Sequence, residues 1–224
     1  LFLTACSSSD QKTYYQLPVL NSAPATGSAM SSGMATQRHL WVERVSVADY
    51  LSGNGLVYQT NDVQYTLTQN NLWASPLDQQ LQQSLVTYLR RDLPGYLVST
   101  QAVSSDEQDV LNVNVTAFHG RYDGTVVISG SWTLSRSGQM IQRDFTLNLK
   151  QNEDGYDALV KTLAAGWQQE AGQIASQIRW GCFKLNIVYV KLKKSRFLTF
   201  QTPGFFYGDQ PDESFISTIV SCAI

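Results

Sequence analysis

The stretch that decides the fold is Leu40–Leu93, LWVERVSVADYLSGNGLVYQTNDVQYTLTQNNLWASPLDQQLQQSLVTYLRRDL. It reads as strand, loop, strand and then a long helix. The helix is the clearest element. Ser75 is a good N-cap, Pro76 suits the first helical position, and Asp78 places a negative charge in the first turn. Leu77, Leu81, Leu85, Tyr88 and Leu89 recur at helical spacing, and Pro94-Gly95 ends the run. Upstream, Leu40–Val47 is rich in β-formers. Asp62–Thr68 alternates Val63, Tyr65 and Leu67 against Gln64, Thr66 and Thr68, which predicts one buried face. Downstream, Tyr96–Thr100 reads as a strand, so strand, helix and strand make a βαβ unit.

Working outward, Val110–Phe118, Thr125–Leu134 and Met140–Leu149 form an antiparallel meander joined by turns at Asp123-Gly124 and Ser137-Gly138. Its buried faces are predicted as Leu111, Val113, Val115 and Ala117; then Val126, Ile128, Trp132 and Leu134; then Ile141, Phe145, Leu147 and Leu149, with Arg143 as the exception. Tyr156–Ile178 is a second helix with a narrow stripe of Tyr156, Leu159, Leu163, Trp167, Ala171, Ile174 and Ile178, expected to pack on the chain's own sheet. Thr13–Leu17 is a short strand. Asn21–Gln37 lacks periodicity and reads as a loop, and Ser104–Asp109 reads as an acidic surface turn. The expected fold class is α/β: a mixed β-sheet, a βαβ unit plus an antiparallel meander, with two long helices packed against it.

Composition excludes several classes. The 224 residues are 43% hydrophobic, only 15% charged, and carry a formal charge of −2, which argues against a nucleic-acid partner. The balance is −4 over residues 1–179 and +2 over 180–224. The cysteines are Cys6, Cys182 and Cys222, so the span between the first two holds no thiolate metal site or disulfide framework. No His-x-x-x-His pair, Gly-x-Ser-x-Gly elbow or phosphate-binding Gly-x-x-x-x-Gly-Lys loop occurs. His39 and His119 read as structural, and Glu43, Asp49, Asp123 and Asp157 show no spacing that singles out an acid–base pair. No catalytic residue, metal or cofactor is expected.

The opening Leu1–Ser9, LFLTACSSS, looks like the end of a secretory signal, with Leu3-Thr4-Ala5-Cys6 resembling a bacterial lipobox. Cys6 is then the lipidation site. Residues 1–5 read as a signal remnant, 6–38 as an anchored segment, 39–179 as the main domain and 180–224 as an atypical extension. The extension is short for an independent fold and reads as a frame-shifted or read-through tail.

Asp49-Tyr50-Leu51, Leu56-Val57-Tyr58, Leu72–Asp78, Phe118–Gly124 and Asp154–Asp157 resemble the ABC-type transport auxiliary lipoproteins over roughly Cys6–Arg179. None of these motifs is catalytic. The resemblance implies a lipoprotein held at the periplasmic face of the outer membrane, in outer-membrane lipid, through acylated Cys6. The implied partner is an MCE-domain inner-membrane protein, in a route for lipids between the membranes, with a homo-oligomeric ring as a possible assembly. Aromatic residues with a polar handle suit protein interfaces, so Tyr50, Leu51, Tyr58 and Trp73 are the candidate partner-binding residues. The alternative is a lipid carrier with its own apolar cavity between sheet and helix.

Overall fold

A computed structural model of the chain describes residues 11–18, 38–103 and 108–196, with side chains described as far as 179. Cys6, residues 21–37 of the expected loop, residues 104–107 of the expected acidic turn, and Cys182 and the other side chains of the extension lie outside what is described. The chain divides into two compact units, Leu1–Gly181 and Cys182–Ile224.

The first unit is a mixed sheet of eight strands. They are β1 (Thr13–Tyr15), β2 (Arg38–Val47), β3 (Gly55–Gln59), β4 (Tyr65–Trp73), β5 (Tyr96–Ser99), β6 (Gln108–Arg121), β7 (Thr125–Arg136) and β8 (Gln139–Lys150). The helices are α1 (Leu77–Asp92) and α2 (Tyr156–Arg196), and a single 3-10 turn covers Asp49–Leu51.

Strand β6 organises the sheet. One edge pairs antiparallel with β7, which pairs with β8 to complete the meander. The other edge is shared: its first half pairs parallel with β2, and its end at Gly120 and Arg121 pairs parallel with β3. Two branches leave it, β2–β5 and β3–β4–β1. The parallel neighbour of β5 is therefore β2, not the strand that directly precedes the helix. Both edges of β4 are already taken by β3 and β1.

Helix α2 lies across the meander. Trp167 meets Phe118 edge-on and Phe145 at a tilt, and its indole Nε1 donates to the Leu81 carbonyl of α1 at 3.1 Å. Gly166 sits where a Cβ would collide with Ile128 and Leu149, so the helix approaches the sheet closely there. The expected stripe from Leu159 to Ile178 is buried. Each fully buried leucine or isoleucine contributes about 1.5–3 kcal/mol. Helix α1 flanks β2, with the Gln82 amide donating to the Val42 and Glu43 carbonyls. Both helices thus cover one face of the sheet.

Five expectations are corrected. Pro76, not Ser75, stands at the N-cap, and no side chain caps α1; the Gln80 amide donates to the Ser75 carbonyl instead. Helix α2 continues past Ile178 to Arg196, because no proline interrupts the chain before Pro203. Asp109 belongs to β6 and is buried, not part of a surface turn. A bulge between Val115 and Ala117 adds one residue to β6, so Phe118 replaces Ala117 on the helix side and His119 points to the opposite face. The Ser137-Gly138 turn is the expected two-residue loop with both φ positive. At Asp123-Gly124 the loop has three residues, with Gly124 at φ 76 donating to the Arg121 carbonyl.

Candidate functional site

The face of the sheet opposite the helices is polar along β6, β7 and β8. The side chains there satisfy one another: Asn112 donates to Glu43 at 2.7 Å, Ser46 to Asn114 at 3.0 Å, and Thr116 bonds Ser129 at 3.0 Å. A shallow depression of about 100 Å³ is lined by Arg44, Ser46, Asn112, Asn114, Ser131 and Thr133.

At one end of this face the chemistry changes. Tyr50, from the 3-10 turn, and Tyr65, from β4, bring their rings to 5.2 Å, and both pack over His119, at 6.3 and 5.1 Å. Leu67 continues the patch. Tyr65 is 45% and Leu67 47% exposed, whereas His119 is buried beneath them. The Tyr50 hydroxyl donates to the Thr116 carbonyl at 2.8 Å and anchors the ring. Burial, reinforced by the neighbouring Tyr65, pushes the Tyr50 phenol up to about 12. Burial also lowers His119, and Arg121 lowers it further, against the opposing bond to the Gly120 carbonyl. The patch is therefore uncharged at neutral pH: aromatic, aliphatic and half-exposed.

The predicted partner-binding residues are not brought together. Tyr50 is half-buried within the patch. Leu51 is 1% exposed and Trp73 5%, and both lie in the core, where Trp73 packs on Phe118. In this conformation neither offers a surface to a partner. Tyr58 is half-buried on the helix side, lining a pocket of about 270 Å³ with Gly124, Gln151, Asp154, Gly155, Tyr156 and Leu159. Cys6 lies outside the described residues.

Tyr65 and Leu67 are the residues the sequence missed. Their alternation places them correctly on one face but cannot say that this face stays uncovered. Val63, Tyr65 and Leu67, expected to form a buried face, are exposed, and Gln64 and Thr66 between them are exposed too, so this end of β4 is covered on neither face. No group of three or more His, Cys, Asp or Glu capable of holding a metal occurs among the described residues. Between the C-terminal end of α1 and α2 runs an open groove of about 780 Å³, but Arg91, Asp92, Gln169, Gln173, Gln177 and Arg179 line it. The sheet–helix interface itself is filled by Leu85, Leu111, Ile128, Trp167 and Ile174. No described helix is long and apolar enough to cross a membrane.

Comparison with known proteins places this architecture. Two curated relatives, each named intermembrane transport lipoprotein PqiC, come from Escherichia coli strain K12 and Shigella flexneri. Each is 54% identical over 180 residues, covering 80% of this chain and 93% of the relative. A crystal structure of an uncharacterised protein shares 56% identity with a TM-score of 0.66, covering 75% of this chain and 99% of that one. A protein from Xanthomonas campestris at 19% identity shares the fold, with a TM-score of 0.56 over 75% of this chain and 99% of that one. The family model for the ABC-type transport auxiliary lipoprotein component matches residues 15–175. The chain therefore belongs to the ABC-type transport auxiliary lipoprotein family.

Proposed function

We propose that this chain is a non-enzymatic outer-membrane lipoprotein, held on the periplasmic side by acylated Cys6. Its folded domain docks an MCE-domain inner-membrane protein and so supports lipid transport between the membranes and membrane integrity. On this reading residues 6–38 are the anchoring segment and 39–179 the docking domain, and a homo-oligomeric ring would match a partner of cyclic symmetry. The name that the relatives carry supports the transport role. The observation that carries the docking role is the uncharged Tyr50–Tyr65–Leu67 patch at the end of the largely polar open face. Half-exposed tyrosines with a polar rim are what a protein interface uses.

The carrier alternative needs an apolar cavity, and the filled sheet–helix interface gives it no support. The test is to purify the tagged lipoprotein from its own membranes after mild crosslinking and identify what accompanies it by mass spectrometry. An MCE-domain protein in stoichiometric amount is expected. Co-purified phospholipid without any protein partner would overturn docking in favour of the carrier.

A further inference from the structure

We infer that the end of the sheet formed by the β3–β4 loop and the β6–β7 turn faces the bilayer, with Val63 and Tyr122 at the level of the lipid headgroups. The inference rests on the proposed anchoring through Cys6 and goes beyond it by orienting the domain.

The first argument is reach. Six residues separate Cys6 from Thr13, where β1 begins. Even fully extended, that tether spans about 25 Å. The register fixes where it starts. Thr13 pairs with Asn71, the next residue of β4, Leu72, pairs with Gly55, and Tyr58 of β3 pairs with Gly120. Thr13 is therefore roughly level with Phe118 of β6. From there, Arg121 at the end of β6 is three residues away and Gln108 at its start is ten. At about 3.3 Å per residue these are about 10 Å and 33 Å. A bilayer lying across the far end of the strands, beyond Gln108 and the β7–β8 turn, is out of reach of the anchor. One lying across the near end is within reach. β1 also runs parallel to β4, so the chain enters it from the side of the β3–β4 loop.

The second argument is independent and chemical. Val63, at the tip of the β3–β4 loop, is 83% exposed, and Tyr122, in the β6–β7 turn, is 49% exposed. The loop is built to hold Val63 outward. Asn61 Oδ1 accepts from the backbone N–H groups of Val63 and Gln64 at 3.0 and 2.9 Å, and the Thr60 N–H donates to the Gln64 carbonyl at 2.9 Å. The two tips are tied together by the Tyr122 hydroxyl, which donates to Asp62 at 2.7 Å. An exposed aliphatic side chain gains nothing from folding in water but is stabilised on entering a lipid interface, where tyrosine rings also concentrate. Arg121 stands 3.9 Å from Asp62 and 3.6 Å from Asp123, so one cation faces two carboxylates and the tips are not a basic patch. That suits a zwitterionic headgroup layer, not attraction to anionic lipid.

The test uses the full-length acylated protein with Cys182→Ser and Cys222→Ser, and one added thiol at Val63→Cys or, at the far end, Gln139→Cys. Each is labelled with an environment-sensitive fluorophore and reconstituted into phosphatidylethanolamine-rich vesicles containing a headgroup-level nitroxide lipid. Loss of fluorescence at position 63 with none at 139 is the expected result. If the protein floats with the vesicles while 63 is spared, or 139 is quenched as much, the orientation is wrong and the anchor stands. A protein that does not float, with an unmodified Cys6 by intact mass, removes the anchor and the orientation with it.

Discussion

At the residue scale, one carboxylate and its arginine tie five elements together. Asp109, at the start of β6, accepts from Arg136 of β7 through Nε and Nη2 at 2.9 and 2.8 Å, and Arg38 of β2 stands 3.5 Å away. Arg136 also donates to the Ile178 carbonyl of α2 and to the Tyr96 hydroxyl of β5. Asp109→Ala leaves a buried guanidinium without its counter-charge, so urea unfolding is expected to register a loss of about 3–5 kcal/mol. A loss below about 1 kcal/mol would show that water reaches Arg136 and stands in for the carboxylate. The pair was legible in principle. Asp109 is in phase with Leu111, Val113 and Val115, and Arg136 with Trp132 and Leu134, so two opposite charges sit on core faces of adjacent strands. Glu170 of α2 is a different case. It is buried with Oε2 lacking a hydrogen-bond partner, and burial pushes it from the ordinary 4.5 to about 7. The folded state therefore holds this proton through a window where the unfolded chain has released it. Stability should fall as pH rises from about 4.5 to about 7, by an amount on the order of 3 kcal/mol, and level off above. Glu170→Gln should flatten that slope and leave the protein more stable than wild type at pH above 7; matching slopes in urea titrations would refute the assignment.

At the element scale, the β6 bulge and Gly130 form one device. The added residue at Thr116 turns β6 so that Phe118 reaches Trp167, and Gly130 of β7 lets the two backbones close up beside it. A Cβ on Gly130 would collide with the Asn114 carbonyl and lie 2.8 Å from Phe145 Cζ and 3.0 Å from Val115 Cα. Gly130→Ala should cost about 1–3 kcal/mol in urea unfolding, because backbone cannot yield as a side-chain tip can. Gly95→Ala, which meets nothing within 4 Å, should stay within about 0.5 kcal/mol. Equal effects would mean that the bulge relaxes freely. Local periodicity made the meander, α1 and the stripe of α2 readable, since each pattern is carried by residues close in sequence. It could not place the bulge, which depends on the partner strand, nor choose β2 as the neighbour of β5, since that pairing joins residues some sixty apart.

At the scale of the whole first unit, the functional question is which surface remains free once the core is built. The helices occupy one face, and Trp167 binds them to each other and to the sheet. What stays open is the hydroxyl- and amide-lined face with its aromatic end. Of the residues expected from the sequence to bind a partner, Tyr50 lies in the patch proposed for docking. Leu51 and Trp73 do not, because loop and strand-end positions say nothing about which side the helices take. Docking through this face makes a directional prediction. An aromatic anchor at the centre of an interface accounts for about 2 kcal/mol or more, close to a thirtyfold change in affinity. Tyr65→Arg replaces a half-exposed ring with a charge that the patch leaves unmatched, and it removes no hydrogen bond that the fold uses. It should abolish crosslinking to the MCE-domain partner while the protein stays folded, the unfolding free energy falling by about 1–2 kcal/mol for the ring contacts with Tyr50 and His119 that are given up. Ala165→Arg adds the same charge on the exposed side of α2 and should leave crosslinking at the wild-type level. The reverse pattern, with Ala165→Arg blocking capture and Tyr65→Arg sparing it, would move the docking surface from the open sheet to the helices. The two variants carry equal added charge, so a change in net charge alone cannot produce either difference.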